Sequence, residues 1–366
     1  MKFVCDGTLL ADACFTVSKA CAVKTINPVL ECIKIKAEND ILYLSAYDGE
    51  ISIEKQIKAE VLEEGDACVN GKFFSDFVGK VPEGEVVISV NDKTMTIKYG
   101  DSETNMQVLP ASDFPAIDNG AFSEAYFEVK QEDLKTLISD VVFCAATDES
   151  RPILKGVLLE TKEGQLCATA LDGFRLAVSY CNVAVSDKEM KIVCPARTLS
   201  EILRIIGGDE TLKIHAHKNR LSVAIGDTVI NSRLYAGEFV RKENIFPITF
   251  ATTVTVKRAE LMQSVERAAV LIRGDKNNLI TLKLAGGKIN IKANSEIGKV
   301  EETVLAEIEG EELLIAMNGK YLLDALKALD EEEIIISFNA AIAPFVLENV
   351  ENKRNQYLVL PVRMGN

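Results

Sequence analysis

The 366-residue chain lacks several features that would each indicate a class of protein. It has no run of about 18 apolar residues, so no transmembrane helix is expected. Its first ten residues include Lys2 and Asp6 and have no apolar segment typical of a secretory signal. The Walker A, GxSxG and HExxH motifs are also missing. These absences favour a cytoplasmic protein, and they predict that the chain has no catalytic residues, needs no cofactor and is not an enzyme.

Residues that bind metals or form disulfides are either few or unsuitably spaced. The nine cysteines include no CxxC pair, and most lie in apolar segments. We therefore predict reduced, buried thiols rather than disulfides or a metal site. His215 and His217 share one face of a predicted strand and could bind a metal. Because that strand offers no Cys, Asp or Glu ligand, we predict a surface pair and no metal.

Positive charge is also scarce. The chain has 41 basic and 55 acidic residues, a net charge of −14 and a pI of about 4.9. This balance argues against a protein that binds nucleic acid with its whole surface, since phosphate neutralisation needs clustered Lys and Arg. A basic patch on an otherwise acidic body remains open.

The chain contains three similar segments in tandem. A shift of 124 residues places Phe3 on Phe127 and Asp48-Gly49 on Asp172-Gly173. A further shift of about the same length reaches the third segment. We therefore predict three similar domains, at residues 1–122, 123–250 and 251–366.

Each repeat has the same order of predicted elements. A short strand leads into a helix, whose apolar spacing is clearest at Leu134, Leu137, Ile138 and Val141. Alternating strands, a second helix and two hairpin-like pairs follow. This order predicts an α+β fold in which each domain has two helices packed on antiparallel sheets.

The second helix of each repeat carries basic residues away from its apolar face. Arg197 and Arg204 are seven residues apart and share a stripe, and Lys320 and Lys327 occupy the equivalent positions in the third repeat. Lys72 stands at the first of these positions in the first repeat. A solvated helix face explains any one stripe, but recurrence in an acidic chain favours a shared anionic partner.

Four segments, taken together and in this order, resemble the sequences of one family. They are Met1-Lys2-Phe3, the Leu-Pro-Ala-Ser-Asp-Phe-Pro run at 109–115, the segment 170–177 and the closing segment 357–363. The whole chain, including its three-fold repeat, is similar to the bacterial DNA polymerase III beta subunit, the replicative sliding clamp. The resemblance implies the DNA clamp fold and a head-to-tail homodimer that closes six domains into a ring. Such a ring would encircle double-stranded DNA without reading its sequence, as a processivity factor.

The resemblance also implies residues that face DNA. Carried over by position, these are Lys24, Lys72, Arg151, Arg197, Lys276, Asn277 and Asn278. The helix-face argument adds Arg204, Lys320 and Lys327. The chain departs from well-studied relatives at Pro152-Ile153, where they place aromatic residues, so base stacking is not expected there.

A second implied site is an apolar pocket between the second and third domains. It accepts short peptides from the DNA polymerase III catalytic subunit, the clamp-loader complex, and repair and translesion proteins. The matching positions are Leu154, Leu171, Gly173, Phe174, Arg175, Leu176, Val240, Ile245, Ile342, Pro344, Leu358, Leu360, Pro361, Val362, Arg363 and Met364. From the residues alone, the apolar end of the chain indicates a final edge strand packed on its own sheet, and we expect it to form the pocket wall as well. Gly365-Asn366 extend beyond the apolar end of many relatives.

The implied subunit contact joins the first domain of one copy to the third domain of the other. Its first-domain side is an edge strand, and its third-domain side is the end of a helix. The residues are Asn105, Met106, Gln107, Val108, Val270 and Leu271. The alternative to a clamp is a repeat-built protein-interaction scaffold that uses the same pocket without encircling DNA.

Overall fold

The computed structural model describes residues 1–117, 125–148, 150–186, 188–217, 219–272 and 278–364. The chain divides into two compact units. The first comprises Met1–Glu132, Ala184–Lys188 and Arg197–Leu234. The second comprises Asp133–Val183, Glu189–Ala196 and Tyr235–Asn366. None of the described helices combines the length and apolar character needed to span a lipid bilayer.

The first unit is built on one antiparallel sheet of fourteen strands. In spatial order the strands are β14 (Val185–Ser186), β10 (Tyr126–Lys130), β16 (Thr211–His217), β17 (Arg220–Ile225), β18 (Thr228–Arg233), β4 (Ile51–Lys58), β3 (Ile41–Tyr47), β2 (Cys32–Glu38), β6 (Gly65–Asn70), β9 (Ser102–Leu109), β8 (Thr94–Tyr99), β7 (Glu85–Asn91), β1 (Lys2–Asp6) and β5 (Glu60–Glu63).

The second unit is built on one antiparallel sheet of twelve strands. In spatial order the strands are β15 (Lys191–Pro195), β11 (Gly156–Lys162), β12 (Gln165–Leu171), β13 (Arg175–Asn182), β26 (Asn355–Val359), β25 (Phe345–Asn349), β24 (Glu333–Phe338), β19 (Thr252–Lys257), β22 (Gly298–Gly310), β21 (Lys288–Ser295), β20 (Leu279–Ala285) and β23 (Leu313–Asn318).

The helices occur in pairs along the chain, two in each repeat. They are α1 (Gly7–Val17), α2 (Gly71–Val78), α3 (Gln131–Val141), α4 (Ala196–Ile205), α5 (Arg258–Leu271) and α6 (Gly319–Ala328). In the first unit α1 packs on α2, and in the second unit α5 packs on α6. The prediction of two helices on antiparallel sheets in each of three similar domains is confirmed.

The three repeats share one strand topology. In each, the first strand pairs with the first of three final meandering strands, giving the sets β1-β7-β8-β9, β10-β16-β17-β18 and β19-β24-β25-β26. Apart from β5, which pairs with β1, and β14, which pairs with β10, the remaining strands form the sets β6-β2-β3-β4, β15-β11-β12-β13 and β23-β20-β21-β22. Successive repeats are joined by strand pairing, because β4 pairs with β18 and β13 pairs with β26. Each sheet therefore contains three of these sets, two from one repeat and one from its neighbour.

Local sequence explains the turns and helix starts. Asn39 and Asp40 connect β2 to β3 with φ angles of 53° and 58°, as a two-residue hairpin turn with two positive φ values requires. The Asp6 carboxylate accepts a hydrogen bond from the Leu9 N–H (2.9 Å) and caps α1. Asn70 and Asn318 cap α2 and α6 in the same way. The turn between β2 and β3 therefore has the residue types that its geometry needs.

Equivalent residues of the repeats are buried alike. Phe3, Phe127 and Val254 occupy the first strand of each repeat, and all three are almost inaccessible to solvent. Each of the nine cysteines lies in the described residues as a free thiol, and seven of them are buried. The burial of most cysteines agrees with the prediction of buried thiols.

Candidate functional site: an apolar surface and basic helix faces

A tight turn between β12 and β13 presents an exposed phenylalanine on the second unit. The Asp172 carboxylate accepts hydrogen bonds from the N–H groups of Phe174 (2.8 Å) and Arg175 (3.0 Å). Gly173 has a φ of 93°, which favours glycine. The turn directs Phe174 outward with 59% of its surface exposed, while its ring stacks on Tyr321 of α6 at 6.3 Å between centroids.

Arg175, the first residue of β13, is buried beneath this turn. Its guanidinium forms ion pairs with Asp172 (3.0 Å) and Asp324 (2.6 Å), and it donates to the Phe143 carbonyl oxygen (2.8 Å). It also lies 4.5 Å from the ring centroid of Tyr321, a cation–π distance. Arg175 therefore links β13 to α6 and supports the exposed Phe174 from below.

The end of the chain is attached to the same region. The N–H of Leu360 donates to the Phe174 carbonyl oxygen (2.9 Å), and the N–H of Val362 donates to the Ala316 carbonyl oxygen (2.8 Å). Strand β26 pairs with both β13 and β25, so it is an interior strand of the sheet. The prediction of a final edge strand is wrong, because the joint with β13 covers the edge that β26 would expose in an isolated domain.

The predicted pocket positions form a buried floor and an exposed rim. Leu154, Leu171, Leu176 and Leu358 belong to one buried cluster, against which Ile245 and Leu360 pack. Beyond Phe174, the apolar side chains that remain largely exposed are Val240, Ile342 and Met364. Gly173 and Arg363 are exposed, whereas Pro344, Pro361 and Val362 are partly buried. Gly365 and Asn366 lie outside the described residues.

Sequence reasoning missed three residues that hold this surface together. Phe143, Tyr321 and Asp324 each contact Arg175, and Tyr321 also stacks on Phe174. The sequence feature that could have identified two of them is their spacing. Tyr321 and Asp324 are three residues apart, so they lie on the same face of α6. This helix was singled out only for its basic residues Lys320 and Lys327, so neither Tyr321 nor Asp324 was assigned to the peptide pocket.

On the first unit, some of the basic residues predicted to face DNA form ion pairs within the protein and others do not. Lys24 and Lys72 are exposed, and among the described residues neither forms a salt bridge. Arg204 pairs with Glu201, one turn earlier in α4. Arg197 forms an ion pair with Asp48 and donates to the Lys19 carbonyl oxygen (2.8 Å), so its guanidinium is partly engaged within the protein.

The corresponding residues of the second unit show a similar mixture. Arg151 and Lys320 are exposed and take part in no salt bridge of the described residues. Lys327 lies 3.6 Å from Glu266, which connects α6 to α5. Asn278 accepts a hydrogen bond from the Gly319 N–H through its backbone carbonyl (2.8 Å). Lys276 and Asn277 lie outside the described residues.

The predicted subunit-contact strand is only partly an edge. Along β9, Ser102–Gln107 pairs with β8 on one side and with no described strand on the other. Val108 pairs with Val69 of β6 and is buried, so its placement on an open edge is wrong. In the second unit, Val270 near the end of α5 is 71% exposed and Leu271 is partly buried.

Three family models match consecutive parts of the chain. They describe the DNA polymerase III beta subunit: the N-terminal domain matches residues 1–118, the central domain 128–240 and the C-terminal domain 243–363. The chain belongs to the DNA polymerase III beta subunit family, the beta sliding clamps. This confirms the predicted function class, a DNA sliding clamp in replication, and the scaffold alternative is not favoured.

Beta sliding clamps match over their full length. The clamp of Halalkalibacterium halodurans is 36% identical over 380 residues, covering 99% of this chain and 100% of its own. The Bacillus subtilis clamp is 33% identical over 377 residues, with the same coverage. The crystal structure of the DNA polymerase sliding clamp from Bacillus subtilis superposes with a TM-score of 0.94 at 32% identity, covering both chains completely.

Proposed function

We propose that this beta sliding clamp acts as a head-to-tail homodimer that closes around duplex DNA. Its three domains, residues 1–122, 123–250 and 251–366, would then contribute six domains to a ring. The ring would tether the replicative polymerase, the clamp loader and repair and translesion proteins through short apolar peptides, without catalysing a reaction itself.

One observation carries the proposed dimer: the pairing of β4 with β18 and of β13 with β26. At each joint, the last strand of one four-strand set pairs with the last meander strand of the next repeat. The third repeat ends its equivalent set with β22, and the first repeat ends its meander with β9. Neither has the corresponding partner among the described strands. A second copy would supply both, since its β9 would pair with β22 and its β22 with β9.

The side chains near these two strands support the same pairing. Three apolar residues, on α5, just before β22 and within β22, are largely exposed: Val270 (71%), Ile297 (81%) and Leu305 (68%). Along β9, Met106 is half-buried. An exposed strand edge with neighbouring apolar side chains is unfavourable in water unless another strand covers it. Strand pairing across the subunit contact would satisfy the backbone groups and bury those side chains.

The charge distribution fits a ring that does not depend on high DNA affinity. The chain carries a net charge of −14, yet Lys24, Lys72, Arg151 and Lys320 are exposed cations without described salt bridges. Contacts of Lys and Arg with phosphates are independent of sequence and weaken with salt, so they permit sliding. Closure around the duplex, rather than affinity, would keep the protein on DNA.

The deciding experiment measures retention on DNA of different topology. The clamp is loaded onto nicked circular DNA with a bacterial clamp loader and ATP, isolated by gel filtration, and the DNA is then linearised. We expect a dimer by mass, stable retention on the circle and loss after linearisation. The double variant Val270→Asp/Leu271→Asp should be monomeric and should not be retained. A monomeric wild-type chain, or one that stays bound after linearisation, would contradict the ring.

A second prediction concerns the peptide surface. Replacing Leu360 and Met364 by alanine should weaken binding of a polymerase-derived peptide by tenfold or more, because truncating apolar anchors at an interface typically costs about 1–3 kcal/mol. The dimer mass should not change. The measurement is a peptide titration by fluorescence anisotropy. Leu314→Ala, which truncates a 48%-exposed apolar residue of β23, is the control and should bind normally. If the double variant binds the peptide with unchanged affinity, Leu360 and Met364 do not belong to the peptide pocket.

A further inference from the structure

A lysine and a cysteine from distant parts of the chain meet behind the peptide surface. Lys242 belongs to a short 3-10 turn, Lys242–Asn244, and its Nζ lies 2.7 Å from the Sγ of Cys167 in β12. The same ammonium group lies 4.9 Å from the ring centroid of Tyr180 in β13. Val240 and Ile245, two of the predicted peptide-contact positions, flank this lysine in sequence.

The separation of the two atoms is short for a hydrogen bond to sulfur. A distance of 2.7 Å is at the lower limit for N–H···O bonds, and sulfur is larger than oxygen, so N–H···S bonds are longer. Nitrogen and sulfur joined covalently through one oxygen atom lie about this far apart. Little movement would therefore be needed to connect Lys242 and Cys167 by an oxygen bridge.

The pair is accessible to a small oxidant. Both residues line a cavity of about 510 Å³, together with Tyr180 and Lys191. Cys167 retains 7% of its surface exposed and Lys242 is half-buried. Cys194 is different, because its side chain is completely buried. A small oxidant can therefore reach Cys167, whereas Cys194 only packs in the hydrophobic core.

We propose that Cys167 and Lys242 form an oxidative modification site, in which hydrogen peroxide links Sγ to Nζ through one oxygen atom. One peroxide oxidises the Cys167 thiol to a sulfenic acid and releases one water. The Lys242 ammonium group releases a proton to water, and a second peroxide oxidises the resulting amine to a hydroxylamine and releases another water. The hydroxylamine oxygen then attacks the sulfur, a new S–O bond forms, and the sulfenic hydroxyl leaves with the hydroxylamine proton as a third water. Four equivalents of a thiol reductant return the thiol and the amine, with one water and two disulfides.

The bridge would fix the segment around Lys242 to the sheet. It would close a loop between residues 167 and 242, and a cross-link of this kind stabilises a protein mainly by restricting its unfolded chain. The thermal midpoint of the second unit should therefore rise on oxidation and fall again on reduction. This inference goes beyond the proposed function, and its test uses neither DNA nor a partner peptide.

The test treats the full-length protein with hydrogen peroxide and analyses a non-reduced proteolytic digest by accurate-mass spectrometry. We expect the Cys167 peptide joined to the Lys242 peptide, with a gain of one oxygen atom and a loss of two hydrogen atoms. Thiol reductant should separate them and reverse the rise in thermal midpoint. Cys167→Ser and Lys242→Arg should abolish the cross-link, whereas Lys191→Arg, from the same cavity, should retain it. The proposal is overturned if Cys167 is recovered unlinked after oxidation, or if Lys242→Arg still yields the cross-link.

Discussion

Replacing Arg175 by alanine is expected to lower the free energy of unfolding of the second unit by about 3–5 kcal/mol, since removing one partner of a buried ion pair leaves uncompensated charge. Arg175 is 9% exposed, and its guanidinium serves Asp172, Asp324 and the Phe143 carbonyl oxygen. Alanine would leave both carboxylates facing each other without a cation. Hydrogen exchange of the β13 amides measures the loss, because this strand lies inside the sheet.

The matched control is a solvated ion pair in the same unit. Lys292 pairs with Glu301 at 2.9 Å, and both side chains are more than half exposed. Lys292→Ala should therefore change stability by less than about 1 kcal/mol. The double variant Arg175→Met/Asp324→Leu should recover part of the loss, because it removes two charges together. If Arg175→Ala were no more damaging than Lys292→Ala, the buried network would not support β13 and α6.

The second large effect should appear in the pH dependence of stability. Burial raises the pKa of Asp140 to about 6, although the Ser179 hydroxyl and the nearby Arg354 favour the ionised carboxylate. In an unfolded chain an aspartate has a pKa near 3.9, so between about pH 4 and pH 6 only the folded protein keeps this proton. The contribution of Asp140 to stability is therefore present below pH 4 and is lost as pH rises through 6, by about 2–3 kcal/mol in total.

Asp140→Asn should remove this dependence, since asparagine cannot ionise and its carbonyl oxygen can still accept from Ser179. The difference in free energy of unfolding between variant and wild type should shift in favour of the variant by about 2–3 kcal/mol from pH 4 to pH 7. Urea unfolding followed by circular dichroism at several pH values gives this difference. Glu301→Gln, at an exposed carboxylate, should stay within about 0.5 kcal/mol of wild type. A difference that is constant with pH would show that Asp140 ionises normally.

The architecture could be predicted from the sequence because it is encoded locally and three times over. The Asn39-Asp40 turn, the spacing of Leu134, Leu137 and Ile138, and the repeated caps Asn70 and Asn318 each use short-range signals. Every repeat then reinforces the interpretation of the other two. The proposed peptide surface comes from family resemblance. Four of the leucines assigned to it lie in one buried cluster, and peptide binding there stays a prediction.

What could not be predicted depends on contacts between distant residues. Arg175 and Asp324 are 149 positions apart, and their pairing follows from the joint of β13 with β26. The same joint makes β26 an interior strand, which periodicity within one repeat cannot show. Arg197 was assigned by its helix face and by family resemblance, yet Asp48 of another repeat forms an ion pair with it. The position of a charged residue on a helix shows which way its side chain projects, but it does not show which group that side chain contacts.

The strand joints have a consequence for how the protein unfolds. Because β4 is hydrogen-bonded to β18 and β13 to β26, each of these strand joints between repeats lies in the interior of a sheet. Cooperativity follows contacts, so the segments that melt together should be the two compact units and not the three repeats. The central repeat would then unfold in two parts, one together with the first repeat and the other together with the third repeat. The sequence repeats and the compact units therefore divide this chain at different places.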